Sequence, residues 1–391
     1  MTSFQEMTFS ELLSDAEVFV DGDWVESKDQ DPNGDVRLIQ LADIGDGFYI
    51  DKSSRFLNSE TAKRLKCTYL KEGDILVARM PDPLGRACIF PKSDMPCVTV
   101  VDVCIIRPNQ NKVDNRWLMH TINSPVMRQR INEYVTGTTR QRISRGNFSK
   151  LKISVPPLEE QRRIASILDQ ADELRQKRQQ AIEKLDQLLQ ATFIDMFGDP
   201  VKNSRNIKET SLYEIAKIYT GKTPPSSKEN MFNGEIPFIT PGDLGNIITK
   251  SKRSLTLEGG AYSKIVPIGS TLVCCIGATI GKMGYASISC SFNQQINSIT
   301  WGSQINPIFG YEMLKFYSGL ISVKGASTTL PILKKSEFEK IKVIVPEMDS
   351  QIKFEEIAKL IWQQTEIQKS ALNENKSLFN SLQQKAFNGT L

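Results

Sequence analysis

Two stretches far apart in the chain make the same switch from strand to helix. LKISVPPLEEQRRIASILDQAD runs from Leu151 to Asp172, and IKVIVPEMDSQIKFEEIAKLIW from Ile341 to Trp362. In each, alternating apolar residues give way at a proline to an acidic and then periodically apolar run. Pro156 aligns with Pro346, an offset of 346 − 156 = 190. At that offset Phe148 meets Phe338, Leu151 meets Ile341, Ile153 meets Val343, Val155 meets Val345 and Gln161 meets Gln351. Upstream, EGDILVARMPDPLGRA from Glu72 parallels IGSTLVCCIGATIGKM from Ile268, with Gly73 on Gly269, Gly85 on Gly281 and Arg86 on Lys282. Further upstream, DVRLIQLADIGDG from Asp35 parallels EIPFITPGDLGNI from Glu235. Three blocks recur in one order, at a period far too long for a solenoid, so the chain carries two copies of a domain. Its 391 residues let each copy bury its own core.

Each copy shows the same plan. Apolar runs bounded by glycine and proline, Asp74–Ala78 and Thr271–Cys275, predict strands. Helices are expected around Arg116–Glu133 and Pro307–Leu320, followed by a basic loop and a strand, Leu151–Val155 or Ile341–Val345. Proline then removes a backbone donor and ends that strand. From Leu158 to about Phe193, Ile164, Leu168, Ala171, Ile182, Leu185 and Leu189 recur at helical spacing, and no glycine or proline intervenes before Gly198. Such a helix of ~36 residues spans ~54 Å. A second run carries Ile357, Leu360, Ile361, Ile367, Leu372 and Leu382 to the closing FNGTL. Neither apolar stripe can hide within a domain of its own size. The two are expected to pair as an antiparallel coiled coil, or else to pack on separate domains. The predicted class is α+β, with globular copies at residues 1–155 and 199–345 and helices at 156–198 and 346–391.

The formal charge of +4 excludes a wholesale polycation. Between Arg128 and Lys152, however, Arg128, Arg130, Arg140, Arg142, Arg145, Lys150 and Lys152 face Glu133 alone. A local patch of this kind suits a nucleic-acid surface, or a solvated helix and loop. The seven cysteines are scattered without CxxC spacing, and no apolar run reaches the ~18 residues of a membrane span, so a cytoplasmic chain without membrane contact is expected. The one histidine, His120, has no nucleophile motif beside it, and GATIGK at Gly277–Lys282 departs from the phosphate-loop pattern at both ends. No metal-binding carboxylate cluster stands out. These features favour a binding subunit over a stand-alone single-chain DNA-processing enzyme, and leave a protein-binding coiled-coil scaffold as the other alternative.

The motifs TGTTRQRISRGNFSKLKISVPPLEEQRRIASILDQAD (Thr136–Asp172), GSTLVCCIGATIGK (Gly269–Lys282), SFNQQINSI (Ser291–Ile299) and TTLPILKKSEFEKIKVIVPEMDSQ (Thr328–Gln351) resemble blocks of the specificity (S) subunit of type I restriction-modification systems. So does TGKTPPSS with IPFITPGDL, from Thr220 to Leu244. The resemblance implies two target-recognition domains, each reading half of a split asymmetric site in double-stranded DNA, with the helices setting the gap. It implies two DNA adenine methyltransferase (M) subunits as partners, and restriction (R) subunits in the full complex. Cofactors would be bound by the partners, S-adenosylmethionine, ATP and Mg, and none by this chain. Candidate DNA contacts are Arg79, Arg86, Arg140, Arg142 and Arg145 in the first copy. In the second they are Lys222, Lys282, Gln294, Gln295, Lys324, Lys334 and Lys335. Glu159, Glu160, Gln161, Arg162 and Arg163 form a candidate docking patch for the M subunits. The first copy departs from the second by reading MPCVTVVDVCIIRP where the second has SFNQQINSITW, so the two are expected to read different half-sites.

Overall fold

The computed structural model describes residues 4–137, 140–325, 331–387 and 390–391. Contacts divide the chain into two compact units, Met1–Gln179 with Ser370–Leu391, and Gln180–Lys369.

In the first unit, strand Gln5–Thr8 pairs antiparallel with Lys152–Val155 and places Met7 opposite Ile153. An antiparallel sheet follows the order Val18–Asp21, Val103–Arg107, Ile75–Ala78, Ala87–Ile89. A smaller mixed sheet runs Phe56–Leu57, Val36–Ile39, Cys97–Thr99. The helix expected near residues 116–133 is two helices, Asn115–Ile122 and Pro125–Glu133. Proline disfavours helical geometry in the residue before it but suits a first helical position, so Ser124 becomes an N-cap and the chain turns there. Phe9, Trp117, Met127, Phe148 and Ile153 form the core on this side.

The second unit repeats the arrangement. Glu209–Ser211 pairs with Lys342–Ile344. The larger sheet runs Ala216–Thr220, Ile296–Trp301, Thr271–Cys274, Met283–Ala286, with Ile247–Ile248 added at the edge. The smaller runs Arg253–Leu255, Phe232–Ile239, Cys290–Phe292, Ile265–Val266. The aligned glycines have matching backbones: Gly73 and Gly269 both lie at φ +88°, and Gly85 and Gly281 at +80° and +87°. Only glycine takes this left-handed region without strain, which is why these positions survive between divergent copies.

Two helices of 40 residues each, the central Leu158–Phe197 and the distal Met348–Phe387, each contribute one half to each unit. In the first unit Arg175 lies 4.2 Å over the ring of Phe379, and Arg163 donates to the carbonyl of Leu391 at 2.9 Å. In the second, the Phe193 ring stands 5.3 Å from that of Phe354. In the first unit the halves therefore run antiparallel, Arg163 and Arg175 meeting Leu391 and Phe379 in reverse order. The compact units cut both helices in the middle, whereas the sequence reading drew its borders at the helix ends. Each helical half buries its stripe in the neighbouring globular copy: Ile164, Leu168 and Phe379 in one core, Leu189, Phe193, Phe197 and Phe354 in the other. Each such side chain contributes ~2–3 kcal/mol of burial. Helix pairing and helix-on-domain packing, opposed alternatives in the sequence, thus occur together. The α+β class with two repeated copies and two long helices is what the structure shows.

Candidate nucleic-acid interface

The basic segment of the first unit folds back on itself. Thr136 and Arg142 exchange backbone hydrogen bonds of 2.9 Å each way. Ser144 then accepts from the Asn147 amide and caps the short helix Arg145–Ser149. Arg140 is exposed at this bend. Arg142 lies 3.3 Å from the Asp102 carboxylate. Arg145 lies 3.7 Å from Asp21 and covers the Phe19 ring. The loop is attached to the sheet through the Ile143 amide, which donates to the Arg79 carbonyl at 3.1 Å.

Arg79 and Arg86, expected to contact DNA, are interior residues. Arg79 is 3% exposed and donates to the carbonyls of Ile143 and Val101, with Asp21 3.2 Å away. Arg86 is 7% exposed and its fork meets four carbonyls, those of Ile44, Leu41, Met80 and Pro83. Burial pulls both guanidinium groups below their ordinary range. Arg86 spends its fork on main-chain acceptors and binds loops together, while Arg79 is closed in beneath the loop, held by two carbonyls and Asp21, so neither fork is presented to a phosphate or base. Their assignment as DNA contacts is corrected on that ground.

In the second unit Lys222, Lys324, Lys334 and Lys335 are exposed. Lys335 pairs with Glu339 at 3.2 Å, and Lys334 stands at the N-cap of Lys335–Phe338. Lys282 is half-buried and donates to the Pro241 carbonyl at 3.2 Å. Strand Met283–Ala286, not a helix, follows GATIGK, so no helix N-terminus is presented to a phosphate there. Gln294 is exposed and accepts from the Thr223 hydroxyl, while Gln295 is half-buried against the Ile276 carbonyl.

Within the expected docking patch, Glu159 and Arg162 are exposed and Glu160 pairs with Arg163 at 2.7 Å. Gln161 is instead 1% exposed. Its amide donates to the carbonyls of Lys112 and Pro156 and accepts from the Asp114 amide. Gln351 makes the same three bonds, to Gln304, Pro346 and Asn306. Gln161 clasps the proline turn to the domain and has no amide group left for a partner, which corrects its place in that patch.

His120 is buried with Nε2 2.7 Å from Asp169 of the central helix. Glu312, at the matching helical position, accepts from the Trp362 indole at 3.0 Å and has its carboxyl pushed up by burial. Both residues tie a domain helix to a long helix. Burial likewise raises the thiols of Cys88, Cys104, Cys275 and Cys290 to about 12, which makes them poor nucleophiles. Among the described residues no helix is long and apolar enough to cross a membrane.

The sequence reading missed the acidic braces Asp21 and Asp102, and Trp24, which is 67% exposed. Trp24 walls a groove of about 700 Å³ with Asp23, Gln30, Gln40 and Asp102. A glycine directly after a short strand-like run in each copy, Gly22 after VFVD and Gly221 after KIYT, is the sequence signal that could have found it.

Residues 10–184 and 205–376 each match the family model described as "Type I restriction modification DNA specificity domain". A putative type I restriction enzyme specificity subunit, MjaX of Methanocaldococcus jannaschii, is 23% identical over 71% of this chain and 69% of its own length. The HindI specificity subunit of Haemophilus influenzae is 26% identical over 71% of this chain and 77% of its own. The crystal structure of a type I S subunit from M. genitalium aligns at TM-score 0.62 and 18% identity, over 98% of this chain and 96% of that one, and so shares the fold. This chain belongs to the type I restriction-modification specificity subunits and carries two copies of their DNA specificity domain.

Proposed function

We propose that each of the two domains reads one half of a bipartite, asymmetric site in double-stranded DNA, with the helix pair setting the distance between halves. The observation that carries this reading is the duplication itself: one backbone frame, used twice, bears different exposed polar residues at its basic loops. Two identical readers would need only one sequence. Arg140, Arg142, Arg145, Lys222, Lys324, Lys334 and Lys335 are accessible for phosphates and base edges, and phosphate contacts would fix register while a few side chains specify sequence. Helices of 40 residues reach ~60 Å each, ample for two major-groove segments one turn, ~34 Å, apart.

In this reading the chain chooses the site and catalyses nothing. Two adenine methyltransferase subunits dock on the long helices, where Glu159 and Arg162 are exposed and Leu188, Leu360, Ile367 and Leu378 leave apolar surface uncovered. S-adenosylmethionine is bound by those partners, and ATP and Mg serve restriction subunits in the larger complex. A genome-wide N6-methyladenine map tests the proposal, comparing cells that carry this chain with its methyltransferase partner against cells with the partner alone. A split motif that appears only with this chain supports it, and swapping residues 1–155 or 200–345 should change one half of the motif. No new motif, with both proteins soluble and associated, would overturn it in favour of a scaffold.

A further inference from the structure

The groove beside Trp24 has a counterpart in the second unit, and backbone hydrogen bonds match the two residue by residue within blocks that the sequence already sets side by side. Gly22 donates to the Val103 carbonyl at 2.7 Å, and Gly221 to that of Ile296 at 3.0 Å. Asp23 donates to Thr99 at 2.8 Å, and Lys222 to Phe292 at 3.0 Å. Val100 donates to Ile39 at 3.1 Å, and Asn293 to Ile239 at 3.0 Å. Val103 closes a turn onto Val100 at 2.9 Å, and Ile296 onto Asn293 at 3.1 Å. The Arg79 backbone amide donates to the Asp102 carbonyl at 2.9 Å, and that of Cys275 to the Gln295 carbonyl at 2.8 Å. A Cβ on Gly22 would stand 2.3 Å from the Val100 carbonyl oxygen, and one on Gly221 2.2 Å from that of Asn293. The turn Val100–Asp102 is therefore the structural equivalent of Asn293–Gln295, and the same glycine contact pins each to the loop after the first sheet strand.

On this shared frame every side chain differs. Asp23 faces Lys222 in the comparison, Trp24 faces Thr223, Val100 faces Asn293, Val101 faces Gln294 and Asp102 faces Gln295. Charge, size and hydrogen-bonding character all change while the backbone bonds do not. Both turns also touch the base of the basic loop. Asp102 pairs with Arg142, and the Gln295 amide reaches the Ile276 carbonyl, whose residue bridges to Ile332 just before Lys334.

Resting on the proposed DNA-reading role, we infer that these two turns hold the base-reading side chains of the chain, the first by bracing Arg142 with Asp102 and the second by carrying Gln294. Arg142, braced by Asp102, reads a guanine in one half-site, and Gln294, braced by Thr223, reads an adenine in the other. An arginine fork matches the O6 and N7 acceptors of guanine, and a carboxylate at its side fixes the fork's direction. A glutamine carboxamide matches the N6 donor and N7 acceptor of adenine. The Thr223 hydroxyl orients the exposed Gln294 amide in the same way that Asp102 orients Arg142.

The test is the N6-methyladenine map repeated with the full-length variants Arg142→Ala, Asp102→Asn, Gln294→Ala and Gln294→Glu beside the methyltransferase partner. Arg142→Ala should relax one position of one half-site, lowering discrimination there by ~10–100-fold, and leave the gap and the other half intact. Asp102→Asn should relax the same position more weakly. Gln294→Ala should relax a position in the opposite half, and Gln294→Glu should move it from adenine toward cytosine, whose N4 group donates to a carboxylate. Unchanged motifs in all four variants overturn the inference while leaving the bipartite reading in place. So does uniform loss of methylation at every site from variants that still assemble. A wild-type chain that directs no motif fails the underlying reading instead.

Discussion

Replacing Gln351 with alanine removes three hydrogen bonds from a site with 0% exposure. The carboxamide donates to the carbonyls of Gln304 at 3.0 Å and Pro346 at 2.8 Å, and accepts from the Asn306 amide at 2.8 Å. Truncation strands one main-chain donor and weakens two acceptors, at ~1–3 kcal/mol for each buried group left unpaired. Water entering the vacated space recovers part of this, so the expected net loss is ~3–5 kcal/mol. Gln161→Ala should cost a similar amount, since its clasp on Lys112, Pro156 and Asp114 is the same. Urea denaturation read together with amide hydrogen exchange checks both variants. Gln351→Ala should deprotect Asn306 and lower the transition of the second unit, and Gln161→Ala should do the same for Asp114 and the first. Gln351→Glu should rescue little, because a carboxylate would face the two carbonyls it replaced a donor to. A cost below ~1 kcal/mol in both alanine variants would refute the clasp argument. Loss of methyltransferase association at unchanged stability would return Gln161 to the docking surface.

Arg86→Lys should destabilise the first unit by ~3 kcal/mol or more in thermal unfolding, because an ammonium cannot meet four carbonyls with a planar fork. Asp23 carries a carboxyl raised by burial to about 6. Its folded state holds a proton that the unfolded chain has lost, so its contribution to stability falls as pH rises from about 4 to 6. Asp23→Asn should raise the neutral-pH melting temperature and flatten that slope. Lys334→Ala, at an exposed position, should weaken binding of the assembled complex to all duplexes alike and reduce the salt slope by about one unit, measured by titration at several ionic strengths.

The duplication, the strand–proline–helix turns and the two long helices were all legible in the residue string. They depend on local chemistry: period-2 and period-3.6 apolar patterns, proline's missing donor and glycine's access to positive φ, as at Gly73 and Gly269. The family resemblance rested on the same blocks, and the two matched domains fall on them. The split of the expected helix at Ser124 and Pro125 was legible too, since proline disfavours helical geometry in the residue before it.

Which charged residues face solvent was not legible. Arg79, Arg86 and Arg142 look alike as letters, yet two are buried among carbonyls and one reaches the surface beside Asp102. The difference is made by strands distant in the chain that close over a side chain and offer it acceptors. Likewise Gln161, in a run of charged residues, is drawn inward by main-chain groups 47 and 49 positions away. The blocks that hold Val100–Asp102 and Asn293–Gln295 could be set side by side in the sequence, but their side chains share nothing, so only the backbone hydrogen bonds fix which residue matches which. Sequence by itself determined the elements and their repetition, because those follow from near neighbours along the chain. Tertiary structure alone decided which polar groups are spent inside the fold and which remain to meet a partner, because burial is set by residues that are neighbours only in space.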